Sequence, residues 1–184
     1  RDVLPPPETV LDLEITWNRP DCLSIIGIAR EFAAILRRPL RLPPTEFAET
    51  DIAVETFAKV VVEDPVKCPR YTARVMTGVK DGESPEWMRR RLEMCGVRAI
   101  SLTVDVTNYV MLECGQPLHA FDYRRLAERT VVVRRARPGE KIRTLDDVER
   151  ALDAETLVIA DAAEPSAVAG IMGGAGSEIA VGTE

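Results

Sequence analysis

The sequence predicts an α+β fold with mixed sheets, its helices mostly in the first half and its second half rich in strands. Three observations point there. An apolar stripe at Ile25, Ile28, Ala29, Phe32 and Leu36 recurs with helical period. Helical patterns return over 85–95 and 102–114. Beyond Phe121 come short β-branched runs broken by Pro138-Gly139, Asp146-Asp147 and Pro165.

Taken in order, 10–16 alternates apolar and polar residues as a half-buried strand does, and Asn18-Arg19-Pro20-Asp21 supplies turn and capping chemistry ahead of the first helix. Arg37-Arg38-Pro39 ends that helix with favourable C-terminal charge and a stop. Gly27 inside it costs about 1 kcal/mol relative to alanine, so something is expected to pack closely against it. A Pro43-Pro44 linker leads to two runs, 56–63 and 71–79, read as neighbouring strands. Ser84-Pro85-Glu86 opens a short amphipathic helix over 85–95, with Gly96 as its C-terminal cap. The helix over 102–114 stops at Gly115 and Pro117. Strands are expected at 130–135, 141–145, 157–161 and 167–172. The whole is read as one module spanning 1–184, excised from a longer protein.

A chain of 184 residues with 46% hydrophobic residues can remove roughly 70% of its unfolded surface from water, so no staple is required. Cys22, Cys68, Cys95 and Cys114 form no C-x-x-C pair, and with a single histidine they do not spell a zinc site. They read as reduced core thiols of a cytoplasmic protein. No apolar stretch approaches the roughly 20 residues that span a bilayer. The formal net charge is −6, which excludes a generally basic nucleic-acid binder. Charge is nevertheless uneven: 123–150 holds nine Lys+Arg against five Asp+Glu, and 151–184 holds six acids and no base. Arg124, Arg125, Arg134, Arg135 and Arg137 are thus either a local nucleic-acid contact or arginines keeping a strand edge soluble.

Candidate chemistry gathers in three places. Thr107 and Asn108 share a helical stripe with Val104 and Met111, so they either satisfy neighbouring backbone groups or face a pocket. His119, in Gly115-Gln116-Pro117-Leu118-His119-Ala120-Phe121-Asp122, is the only imidazole available for acid-base work or for sensing a phenol. A triad with Asp122 is conceivable, yet no G-x-S-x-G elbow surrounds any serine. Finally 169–178, with Gly170, Gly173, Gly174 and Gly176, lets backbone amides approach a ligand, although it lacks the lysine of a phosphate loop and departs from G-x-G-x-x-G.

Read together, Asn18-Arg19-Pro20-Asp21-Cys22-Leu23-Ser24, Gly27-Ile28-Ala29-Arg30-Glu31, Val104-Asp105-Val106-Thr107-Asn108-Tyr109-Val110-Met111, the His119 run, Arg134-Arg135-Ala136 and Gly170-Ile171-Met172-Gly173-Gly174 resemble, in order and spacing, the central editing module of bacterial phenylalanyl-tRNA synthetase beta subunits. The resemblance implies hydrolysis of tyrosine wrongly esterified to the phenylalanine tRNA. It implies a pocket in which His119 and an acid recognise the tyrosine hydroxyl, while Thr107 and Asn108 position the ester or the attacking water. Position 175, often an acid in that family, is alanine here, which leaves Glu178 as the candidate acid. Ala99-Ile100-Ser101-Leu102 replaces a usual Pro-Ile-Asn-Asn stretch before the helix. Gly173 and Gly174 are expected to offer amide donors to the developing oxyanion. The partners implied are the 3′ end of tRNA(Phe), tyrosine, and an alpha subunit in an α2β2 heterotetramer. ATP and Mg²⁺ serve the full synthetase, with no cofactor and no metal in this module. The alternative is an architectural, tRNA-contacting module without editing, for which Ala175 is the motivating departure.

The chemistry has a physical rationale. A pocket shaped for phenylalanine discriminates only about 10²-fold against an isostere that adds a hydroxyl. A second site that reads the hydroxyl leaves polar groups unpaired when phenylalanine enters, at about 1–3 kcal/mol per group.

Overall fold

The computed structural model describes residues 9–80, 82–177, 179 and 183. They form two compact units, each discontinuous in sequence: 1–45 with 83–118, and 46–82 with 119–184.

The first unit is helical. Helix α1 covers Ile25–Ile35, α2 Glu86–Met94 and α3 Leu102–Cys114. The cap of α1 is Ser24, whose Oγ accepts the Gly27 N–H at 3.0 Å; the Pro20–Cys22 segment before it makes a separate 3-10 turn. A side chain at Gly27 would collide with the Asp21 carbonyl oxygen, which is the close approach its placement anticipated. The expected strand over 10–16 does not form among the described residues, because no neighbouring strand takes up its backbone groups. Ser84 does not cap α2 either. Its hydroxyl donates to Asp105 Oδ2 at 2.6 Å, and Asp105 Oδ1 accepts the Ile100 N–H at 2.8 Å. Both Ser84 and Asp105 are buried, so this carboxylate ties the start of α3 to the entry of α2 beside the fully buried Leu92. Helix α3 stops where expected: Gly115 adopts φ 76° and returns its N–H to the Met111 carbonyl at 2.8 Å.

The second unit is built on a five-stranded sheet in the order β1-β2-β5-β6-β7, with β1 at Lys59–Val62, β2 at Thr130–Arg135, β5 at Leu157–Ala160, β6 at Pro165–Val168 and β7 at Met172–Gly173. Strand β1 runs parallel to β2, with Lys59 opposite Thr130, and the remaining pairs are antiparallel. The 71–79 run is not a strand. The partner assigned to it by adjacency is replaced by β2, some seventy residues away in sequence, so β1 is an edge. A two-stranded ribbon pairs β3, Lys141–Arg143, with β4, Glu149–Ala151, the latter unanticipated because Glu149-Arg150 shows no apolar alternation. The expected strand over 167–172 is two strands, folded at Gly170, whose φ of 70° makes the turn. Val133 and Val158 are fully buried, each burial worth about 1.5–3 kcal/mol.

The arginine cluster resolves mainly into structure. Arg134 is buried on β2 and forms a two-pronged pair with Glu140, at 2.8 and 2.7 Å. Arg135 pairs with Asp64 and Glu155, and Arg124 with Asp122. These three hold strands and turns together rather than presenting charge to a nucleic acid. Of the cysteines only Cys22 is buried, Cys68 is half-buried, and Cys95 and Cys114 are exposed, which corrects the reading of all four as core; all are free thiols.

Candidate functional site

The chain leaves α3 through Gly115 and enters the second unit at His119. There the imidazole lies over β7. A Cβ built on Gly173 would come 2.8 Å from His119 Cε1, 3.6 Å from its Nδ1 and 3.1 Å from Leu145 Cδ1. Position 173 therefore has to be glycine for the ring to sit where it does. Phe121 meets the imidazole edge-on, with centroids 4.4 Å apart and planes at 66°. His119 is exposed as a residue, yet the protein around its ring disfavours the imidazolium, and burial lowers its pKa below the ordinary 6.5.

Gly173 and Gly174 part company. The Gly174 N–H is donated to the Ser166 carbonyl at 2.7 Å, and the residue is buried, so it offers no donor to a ligand. Its expected role is corrected to a structural one: a Cβ there would lie 2.7 Å from the Ser166 oxygen. The Gly173 carbonyl accepts the Leu145 N–H at 3.0 Å, which locks β7 to the end of the ribbon under His119. Of the two glycines, Gly173 is the one beside the imidazole.

Asp122 does not complete a triad. Its carboxylate accepts the Arg124 N–H at 3.0 Å, the Arg124 guanidinium and the Thr183 hydroxyl at 2.9 Å. The Arg124 side chain is the main cause holding its pKa down, to about 2. The carboxylate is thus committed to starting a 3-10 turn at Tyr123–Arg125.

Thr107 and Asn108 follow one another on α3 in the first unit, both half-buried. The Thr107 hydroxyl donates to the Val104 carbonyl at 2.7 Å, within its own helix, so it has oxygen lone pairs but no proton to offer. Glu178 lies outside the described residues.

A possible cation site was not foreseen in the sequence. Asp21, Cys22 and Glu31 bring ligand atoms within 4.8 Å of one another. The Arg19 guanidinium already occupies that corner, 2.8 Å from Asp21, 2.7 Å from Glu31 and 3.2 Å from the Cys22 sulfur. Hydrogen bonding to it lowers the Asp21 pKa to about 2, whereas burial pushes the Cys22 thiol up. The cluster is an internal ion pair that fastens the Pro20–Cys22 turn to α1.

The family model described as the B3/4 domain matches residues 67–184. The chain belongs to the B3/4 domain family. The B3/4 match takes in α2, α3, His119 and every strand from β2 to β7. The chain is 56% identical, over 97% of its length, to the phenylalanine--tRNA ligase beta subunit of Syntrophus aciditrophicus, of which it covers 22%. It is 54% identical over 96% of its length to the protein of that name from Anaeromyxobacter dehalogenans, again covering 22%. For the Moorella thermoacetica beta subunit the figures are 53%, 99% and 23%. The chain thus spans less than a quarter of the length of the curated relatives it matches. Among the described residues no helix is long and apolar enough to cross a membrane.

Proposed function

We propose that this B3/4 domain is the editing site of a phenylalanine--tRNA ligase beta subunit, hydrolysing the ester of tyrosine mischarged onto tRNA(Phe). The observation that carries the reading is the chain's only imidazole, held with lowered pKa against an unsubstituted Gly173. A neutral imidazole has one ring nitrogen free to accept and one N–H to donate, which suits a phenol that does both. Phenylalanine offers neither, so its entry leaves the ring unsatisfied at about 1–3 kcal/mol, or roughly five- to 150-fold in selectivity.

Ester hydrolysis is downhill and needs an aligned water and an oxyanion donor more than a covalent nucleophile. The Gly173 N–H is the candidate donor, now that Gly174 is committed to Ser166. Asn108 and Thr107 are proposed to orient ester or water, Thr107 as an acceptor only, and Glu178 to share the phenol with His119. The assembly proposed is a cytoplasmic α2β2 synthetase. ATP and Mg²⁺ belong to aminoacylation elsewhere in it, and no residue of this chain is assigned to them.

The test is deacylation of preformed Tyr-tRNA(Phe) and Phe-tRNA(Phe) by the full-length protein with its partner subunit, as wild type, His119→Ala and Glu178→Ala. At least a tenfold loss on the tyrosyl ester is expected for each variant. Equal rates in all three would favour the architectural reading that Ala175 motivates.

A further inference from the structure

Among the described residues, neither ring nitrogen of His119 takes part in a hydrogen bond, and burial alone accounts for its lowered pKa. A working histidine is ordinarily oriented by a bond from one nitrogen to a carboxylate or a carbonyl, which fixes the tautomer and leaves one nitrogen for the ligand. Asp122, the acid nearest in the chain, does not do this, since Arg124 and Thr183 take its oxygens. The imidazole is nevertheless confined. Gly173 lies against one part of it, where a Cβ would come 2.8 Å from Cε1, and Phe121 meets it edge-on, with centroids 4.4 Å apart and planes at 66°.

Phe121 is itself held. It is half-buried, and the next residue, Asp122, is buried in an extended conformation (φ −70°, ψ 109°) and accepts the Arg124 N–H at 3.0 Å, the Arg124 guanidinium at 3.2 and 3.1 Å and the Thr183 hydroxyl at 2.9 Å. The spacing of His119 and Phe121 matches the alternation of an extended chain, in which residues i and i+2 share a side, and the two rings meet accordingly. Asp122 thus secures the backbone from which Phe121 reaches the imidazole.

We infer that Phe121 is a positioning residue for His119: its ring, with the bare Gly173, fixes the imidazole by packing, so that both ring nitrogens stay free, one to accept from a phenol and one to donate to it. This role rests on the reading of His119 as the group that senses the tyrosine hydroxyl. Packing suits it because it commits neither nitrogen. A carboxylate in the same place would also orient the ring, but its charge would favour the imidazolium, which has no lone pair with which to accept. A phenyl ring brings no such charge. Edge-to-face aromatic contacts are strong enough to favour one ring orientation by about two- to twelvefold.

The experiment is a double-mutant cycle in the full-length protein with its partner subunit, reading kcat and KM for deacylation of Tyr-tRNA(Phe) by wild type, Phe121→Leu, His119→Ala and the double variant. Phe121→Leu keeps an apolar side chain and loses the ring edge, so kcat should fall about two- to twelvefold, with KM within about twofold of wild type. In the His119→Ala background the same substitution should change kcat by less than about twofold, because no imidazole is left to position. Phe121→Tyr, which keeps the ring, should hold kcat within about twofold of wild type. A Phe121→Leu loss of the same size in both backgrounds is what a merely structural residue gives; it would overturn the positioning role and leave the reading of His119 standing. Wild-type kcat in Phe121→Leu, or a Phe121→Tyr protein as impaired as Phe121→Leu, would likewise overturn the positioning role alone. Wild-type rates in His119→Ala would remove the reading of His119 and the role of Phe121 together.

Discussion

Replacing Gly173 with alanine is the sharpest probe of the site, because the added methyl meets two named atoms. Its Cβ would stand 2.8 Å from His119 Cε1 and 3.1 Å from Leu145 Cδ1, and ordinary contact begins at 3.4 Å. Restoring contact by moving the imidazole alone takes a shift of about 0.6 Å, the difference between 3.4 and 2.8 Å. Misplacing a reacting group by about 1 Å costs about 10²-fold in rate. A tenfold to hundredfold fall in Tyr-tRNA(Phe) hydrolysis is therefore expected. Stability should fall by only about 1–3 kcal/mol, as for a local overpacking, because both neighbours are side-chain ends. Gly174→Ala is the contrasting control: its methyl meets the Ser166 backbone oxygen at 2.7 Å, which cannot swing aside, so unfolding should ease more than for Gly173→Ala. The assay pairs deacylation rates with chemical unfolding. A Gly173→Ala protein that hydrolyses the tyrosyl ester at the wild-type rate refutes the placement of the imidazole.

Two further outcomes follow from the same geometry. The fold lowers the His119 pKa below 6.5, so the unfolded chain binds its proton more readily; this group's contribution favours the folded state above about 6.5 and is lost as pH falls below it. Proton NMR of the single histidine should titrate below 6.5, with hydrolysis declining on the acid side of that midpoint; a midpoint at or above 6.5 contradicts the environment described. Asp105→Ala removes a buried acceptor from Ser84 and from the Ile100 N–H. It should destabilise the chain by about 3–6 kcal/mol, since bonds to charged groups are worth about 1.5–3 kcal/mol each; a urea midpoint within error of wild type would show those donors have other partners.

What could be read from the sequence divides along lines of range. Helix α3 begins and ends where its pattern and Gly115 put it, and β2 spans the expected residues, because stripe, cap and β-branched run are all local. The 10–16 and 71–79 runs carry the same alternation as true strands and form none, since a strand exists only if a partner takes its hydrogen bonds. Arg134 and Arg135 look like surface charge until Glu140, Asp64 and Glu155 arrive beside them. Asp122 looks like a partner for His119 until Arg124 and Thr183 take its oxygens.

The family and the α+β class are thus set by short motifs, because each depends on neighbours within a few residues. That Gly173 accommodates the imidazole and that Gly174 belongs to Ser166 depend on residues 54 positions apart or joined across a sheet. Only folding brings such atoms within a few ångströms, and steric exclusion and hydrogen-bond commitment act only at that range.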